Sequence, residues 1–248
     1  KEAGDSMANQ VLITGIEGQD GSYLAEQLLA RGDRVTGLVY SGVPLPPADL
    51  AHLDGQPEVR ERLRYVLGDI LDRSLFHTLL SEVKPDLIFH LAAVSSVALS
   101  FKNPLLTAEI NGSGTLRLLE AARLAVPQAR IFLAISGEVF GSTEAPADER
   151  TDLRPTNPYA ASKAMAYWAG VNYRESYGQF ISNGLLFNHE SPRRAQRFLT
   201  RKVARGVVEI VKGKREKLAL GNLNPIRDWG YAPEYMDAAV KILDAPAP

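Results

Sequence analysis

Six short, continuously apolar runs, at 10–14, 35–39, 63–67, 86–92, 130–135 and 180–187, alternate with segments of helical period at 22–31, 72–83, 104–125 and 158–177. A strand buried on both faces reads as an unbroken apolar run, whereas a half-exposed strand alternates apolar and polar residues. Interleaving such strands with helices predicts an α/β fold, a doubly wound parallel sheet of Rossmann type. The stretch 41–57 carries four prolines and two glycines and reads as a long connection between the second and third strands. After residue 187 the pattern loosens, with a helix expected over 197–211, a short apolar piece at 217–220 and a last helix near 233–243. Residues 10–187 are thus expected to form a dinucleotide-binding domain and 188–221 part of a smaller, incomplete substrate lobe, with 222–244 packing back near the first domain. Residues 1–9 read as the N-terminus with a tag remnant, Met7 being the expected natural start.

The first strand runs directly into Thr14-Gly15-Ile16-Glu17-Gly18-Gln19-Asp20-Gly21. Glycines at spacing three between a strand and a helix permit a tight turn, close approach of backbone to a pyrophosphate and close helix–sheet packing. The helix N-terminus then offers amide donors to phosphate. Gly15, Gly18, Gln19, Asp20 and Gly21 are accordingly candidate cofactor contacts. Asp69, with Ile70, follows the third strand, where its carboxylate is placed either to accept from an adenine amino group or to close a turn. Leu91, Ala92 and Ala93 end the fourth strand with side chains small enough for a nicotinamide-linked cofactor to lie across them. No acidic residue follows the second strand, which ends Val39-Tyr40-Ser41-Gly42; that weakens NAD and permits NADP, although no arginine stands there either. Asn111, a poor helix former within an expected helix, is read either as holding backbone near the site or as an exposed polar position.

Tyr159 and Lys163 stand at i and i+4, about 40° apart around a helix, and so project into one site. Asn157 and Pro158 suit an N-cap and a first helical residue. Lowering a phenol by roughly 3 pKa units requires about 4 kcal/mol of differential stabilisation, for which the Lys163 ammonium is the expected source. Ser136 is placed to polarise the same substrate oxygen. Glu138 beside this set suggests oxidation followed by elimination.

The 28 basic and 29 acidic residues nearly cancel, which gives no footprint for nucleic acid or an anionic membrane. The absence of cysteine excludes disulfides, thiolate metal sites and a cysteine nucleophile, and the four histidines lack metal-ligand spacing. With no export signal in view, a cytoplasmic location is expected.

The glycine loop, Ser136, Tyr159 and Lys163 in this order resemble the extended short-chain dehydrogenase/reductase superfamily. Within it, Gly18-Gln19-Asp20-Gly21-Ser22-Tyr23, Gly112-Ser113-Gly114-Thr115, Asn188-His189-Glu190-Ser191-Pro192-Arg193-Arg194 and Arg227-Asp228-Trp229-Gly230 resemble the GDP-mannose 4,6-dehydratase family, over residues from about 10 to 244. The resemblance implies a redox-neutral lyase, or hydro-lyase, acting on GDP-mannose. Tyr159 takes the C4 hydroxyl proton as a hydride leaves C4, Glu138 removes the C5 proton, water leaves C6 and the hydride returns there. The product is GDP-4-keto-6-deoxymannose. It implies NADP as cofactor, with NAD the alternative, and contacts to it from Ser41, Tyr159, Lys163 and His189. Asn188 and Arg193, with Ser95 and Lys202, are implied to hold the substrate, and Arg227 to lie near its diphosphate. A homodimer or homotetramer, with no nucleic-acid, membrane or metal partner, is implied too. Family members carry arginines where Tyr40 and Ser41 stand, and dTDP-glucose dehydratases resemble having an aspartate where Gly137 stands. The chain also stops where members continue through the substrate lobe. A nucleotide-sugar 4-reductase or 4-epimerase, or a cofactor-binding protein without turnover, are the competing readings; Glu138 as an elimination base argues against the first pair.

Overall fold

The computed structural model describes residues 8–53 and 55–248; the tag reading of residues 1–7, with a start at Met7, lies outside them. Strands β1 (Gln10–Thr14), β2 (Arg34–Tyr40), β3 (Leu63–Gly68), β4 (Leu87–His90), β5 (Arg130–Ser136) and β6 (Ile181–Leu186) form one sheet in the order β3-β2-β1-β4-β5-β6, and every pairing is parallel. The connections are α1 (Gln19–Arg31), a short α2 (Pro57–Arg60), α3 (Leu75–Val83), α4 (Val97–Lys102), α5 (Pro104–Ala108), α6 (Gly114–Ala125) and α7 (Pro158–Tyr177). This is the doubly wound arrangement that the alternating runs predict.

Alternation along each strand sorts the core onto two faces. Leu12, Ile88, Ile131 and Leu133 pack with Phe76 and Leu80 of α3 and Leu118 and Leu119 of α6. Val11, Ile13, Phe89 and Phe132 pack on the other face with Leu24 and Leu28 of α1. Each fully buried leucine or phenylalanine contributes about 1.5–3 kcal/mol, so burial on both faces explains why the strand sequences are apolar without interruption. Helix α1 ends at Gly32, whose φ of 100° lets its own backbone close the last turn onto Leu28 and Leu29 carbonyls.

The helix expected over 104–125 is interrupted. Its centre, Glu109–Ser113, is a π-helical turn between α5 and α6, and Asn111 sits in it. Asn111 is buried, so the exposed reading of this residue is overturned. The α4 segment and the two strands β7 (Asn188–Glu190) and β8 (Trp229–Tyr231), which pair parallel, have no counterpart among the sequence expectations, and 217–220 forms no strand. Between β7 and β8 the chain makes an excursion containing α8 (Leu199–Val211). It then returns as α9 (Ala232–Asp244), which lies against α1, β5 and β6. Arg31 Nη1 donates to Asp244 Oδ2 at 2.9 Å and Gln27 Nε2 to the Pro233 carbonyl at 2.8 Å, while Met236, Ala239 and Leu243 enter the core. Among the described residues no helix is long and apolar enough to cross a membrane.

Candidate active site

Strand order reverses between β1 and β4, and in open parallel sheets a ligand crevice lies outside the C-terminal strand ends at that point. A cavity of about 1230 Å³ occupies this place, bounded by the ends of β4, β5 and β6 and by the segment after β6. Drug-sized ligands fill about 300–1,000 Å³, so there is room here for parts of two ligands at once.

The glycine loop lies beside it. Gly15 has φ of +72°, and a Cβ there would sit 2.8 Å from the Ala92 Cα, so β1 and the end of β4 meet through glycine. A Cβ at Gly21 would lie 2.4 Å from the Gly15 carbonyl oxygen. The N-cap of α1 is Gly18, which has no side-chain acceptor, so the first-turn amides at 19–21 are left for an external anion. The loop, the bare helix terminus and the small Ala92 and Ala93 fit a dinucleotide, whose phosphates the α1 amides would hold.

The chemistry-bearing residues converge on the other wall. Ser136 ends β5, and its hydroxyl accepts from the Glu138 amide at 3.3 Å. Asn157 caps α7 by accepting from the Ala160 amide at 2.8 Å, with Pro158 in the first turn, as the sequence predicts. Its Nδ2 also donates to Glu138 Oε2 at 3.3 Å. Ser136, Glu138, Tyr159 and Lys163 all line the cavity.

One expectation fails. The Tyr159 phenol is raised above its usual value of 10, by burial first and then by the Glu138 and Asp20 carboxylates; Ser136 and Arg194 pull the other way. The Lys163 cation does not reverse this shift. Its Nζ is buried, donates to the Ala134 carbonyl at 2.7 Å, and burial brings its own pKa down to about 8. In the protein alone, desolvation of the phenol outweighs the nearby cation.

Beneath the site runs a chain of buried hydrogen bonds that the sequence reading did not identify. The Ala92 amide donates to Thr14 Oγ1, which is 2.8 Å from His90 Nδ1, and His90 Nε2 is 3.2 Å from Thr115 Oγ1. Thr115 Oγ1 donates to the Asn111 carbonyl, which leaves it an acceptor toward His90 and fixes the His90 proton on Nε2. Burial, reinforced by the Lys163 charge, lowers His90 to about 3, so it is neutral. Asn111 brackets Val94 through both its amide groups and donates from Nδ2 to Ser162 Oγ, which donates to the Tyr159 carbonyl. The glycine-loop strand and the tyrosine helix are thus tied through one network.

His189 on β7 faces two acceptors, Asp20 Oδ2 at 2.9 Å from Nε2 and the Phe187 carbonyl at 2.7 Å from Nδ1, and stacks on Tyr235. Two acceptors require a proton on each nitrogen, so the ring is an imidazolium. Gln19 joins the same junction, donating to the His189 carbonyl and accepting from Ser191. Asn188, Ser95, Leu91, Ala93 and Arg227 line the cavity as well. Arg193 does not. Its guanidinium turns to α1, where it pairs with Glu26, donates to Ser22 Oγ and stacks on Tyr23. Arg194 lines the cavity instead, over the Phe198 ring and paired with Glu190. Both arginines lie in the turn after β7, closed by the Arg194 amide on the Ser191 carbonyl, and sequence alone does not say which one faces in. Lys202 on α8 and Ser41 after β2 are exposed and outside the cavity lining. Asp69 Oδ1 accepts from the Leu71 amide, the turn reading of that residue, and Ile70 packs over Gly114.

This fold and this Ser/Tyr/Lys site define an extended short-chain dehydrogenase/reductase. Solved relatives agree: a dTDP-glucose 4,6-dehydratase from Streptomyces venezuelae, solved with NAD and TYD bound, superposes with TM-score 0.82 at 30% identity, covering 96% of this chain and 72% of that one. A UDP-glucose 4-epimerase from Thermus thermophilus, in complex with NAD, gives 0.79 at 28% identity, covering 96% and 75%. The family model described as GDP-mannose 4,6 dehydratase matches residues 12–248, and the chain belongs to that family. GDP-mannose 4,6-dehydratase of Vibrio cholerae is 45% identical and GDP-mannose 4,6 dehydratase of Homo sapiens 43% identical, each over 93% of this chain. The chain spans 63% of the length of either relative.

Proposed function

We propose that the protein is a GDP-mannose 4,6-dehydratase, a hydro-lyase that forms GDP-4-keto-6-deoxymannose with a nicotinamide dinucleotide held as above. The observation that carries this reading is that Ser136, Glu138 and Tyr159 face one cavity, with Glu138 bonded to Ser136 and to Asn157, the cap of the helix that carries Tyr159. A bound nicotinamide dinucleotide would supply a hydride acceptor in its oxidised form, the donor that returns the hydride in its reduced form, and a further positive charge near Tyr159. Tyr159 takes the C4 hydroxyl proton, with Ser136 holding the same oxygen. The C4 ketone acidifies C5–H, and Glu138 removes that proton. Gly137 offers no acid, so Glu138 passes its proton to the departing C6 hydroxyl, which leaves as water. With the hydride returned to C6, C5 takes a proton from solvent and Tyr159 releases the C4 proton to solvent, which closes the balance at one water lost. The buried Lys163 orients the cofactor ribose, Asn188 and Arg194 hold the sugar nucleotide, and the exposed Arg227 binds diphosphate by a charge-assisted fork.

The excursion 191–228 is the substrate-lobe portion of this chain. A homodimer is supported by α4, α5 and α7, which expose Phe101, Leu105, Met165 and Trp168, with Leu105 82% accessible. The test is to incubate the protein with GDP-mannose and a catalytic amount of dinucleotide and to read product mass. Loss of one water without net cofactor reduction, abolished in Glu138→Gln, is the expected result; unchanged GDP-mannose overturns the reading.

A further inference from the structure

The acidic group missing from the end of β2 is supplied from elsewhere in the chain. Glu17, in the glycine loop, extends its carboxylate to the last residue of β2, where Oε1 accepts from the Tyr40 amide at 3.1 Å. Its Oε2 is shielded from solvent and has no hydrogen-bond partner. Around it, β2 closes into a turn in which the Val43 amide donates to the Tyr40 carbonyl at 2.9 Å, and the Tyr40 ring lies against Gly42. The turn Tyr40-Ser41-Gly42-Val43-Pro44 contains no lysine or arginine.

In a Rossmann fold the end of the second strand is where the adenosine ribose is read: a carboxylate accepts from a 2′-hydroxyl, and a 2′-phosphate calls for an arginine. We infer that Glu17 is the residue that selects the cofactor and that it selects NAD over NADP. A 2′-hydroxyl would donate to the Glu17 carboxylate, which has an oxygen with no partner in the chain and turns it outward on binding. A 2′-phosphate has no proton to give at neutral pH and brings negative charge against a carboxylate whose orientation is fixed by the Tyr40 amide. The loop position hides this from the sequence, because the acid lies 23 residues before the strand end it serves.

This inference rests on the reading of the glycine loop as a dinucleotide site, and direct binding separates the two. Isothermal titration of NAD⁺ and NADP⁺ into wild type and Glu17→Gln needs no turnover, and melting curves of each protein verify folding. Wild type is expected to bind NAD⁺ at least about 10-fold more tightly than NADP⁺, as a hydrogen bond to a charged group allows. Glu17→Gln, which keeps an acceptor for the Tyr40 amide but no charge, is expected to bring the two within about threefold. Equal or tighter NADP⁺ binding by wild type overturns the inference alone, as does an unchanged ratio in a folded Glu17→Gln. Binding of neither dinucleotide by wild type overturns the dinucleotide site and the inference with it.

Discussion

Asn157 serves Glu138 and helix α7 with the two arms of one amide: Oδ1 caps the helix at the Ala160 amide, and Nδ2 reaches Glu138 Oε2. Glu138 and the helix that carries Tyr159 are therefore oriented by one side chain. Asn157→Ser keeps a cap acceptor and removes the second arm. It is expected to alter stability by less than about 0.5 kcal/mol and to slow C5 hydrogen exchange with deuterated solvent about 10-fold. Asn157→Ala is expected to lose about 1 kcal/mol more in urea unfolding. Equal exchange rates in wild type and Asn157→Ser would show that Glu138 needs no such support.

The His189–Asp20 pair predicts a stability plateau with two edges. Burial, the largest influence on each, opposes ionisation, yet the hydrogen bond and charge between them prevail, raising His189 and lowering Asp20. A raised histidine stabilises the fold fully below its unfolded pKa near 6.5, and that contribution is lost as pH rises through the folded value. A lowered aspartate stabilises above its unfolded pKa near 3.8 and is lost as pH falls through the folded value. Melting temperature followed from acid to mildly alkaline pH should fall at both edges, and Asp20→Asn should flatten the profile, with a loss on the order of 1 kcal/mol at neutral pH.

Lys163 works against the fold that holds it. Its pKa falls from 10.5 to about 8 through burial, so the unfolded chain binds more protons between those values and stability rises with pH across that window. Lys163→Met is expected to abolish turnover and to stabilise the protein at neutral pH by about 1–3 kcal/mol, measured by denaturant unfolding. A destabilised Lys163→Met would mean that the bond to the Ala134 carbonyl outweighs the buried charge.

The six strands of the large sheet and their burial on both faces were legible because a two-sided sheet needs uninterrupted apolar strands, whereas α4, β7 and β8 were not. The N-cap at Asn157 was legible because capping is local chemistry. Long-range choices were not. Whether Arg193 or Arg194 faces the cavity depends on the path of the chain after β7, and the Glu17 carboxylate serves a strand end far along the sequence. Ionisation was the hardest to read: a motif places Tyr159 near Lys163, but the sign of the phenol's shift depends on how completely both are desolvated.

Gly137 has room for a hydrogen and little else. A Cβ there would lie 2.8 Å from the Phe187 ring, which stacks on Phe140 at a centroid distance of 6.1 Å. Gly137→Asp is therefore expected to displace Phe187, lower stability by about 1–3 kcal/mol and fail to accelerate water loss, read by melting curves and product mass. Faster dehydration would show that the aromatic wall yields and that proton delivery to C6 limits the rate.

Because β7 and β8 are hydrogen-bonded neighbours, the excursion between them leaves and re-enters the dinucleotide fold at one seam, and α9 then locks onto α1 on the far side. Such a seam is a natural exchange point. The polypeptide between 191 and 228 contributes no strand to the large sheet, and at its start Ser191 and Arg193 bond to Gln19 and Glu26. A segment grafted at this seam with Ser191 and Arg193 retained is therefore expected to leave the large sheet folded, which melting curves would check.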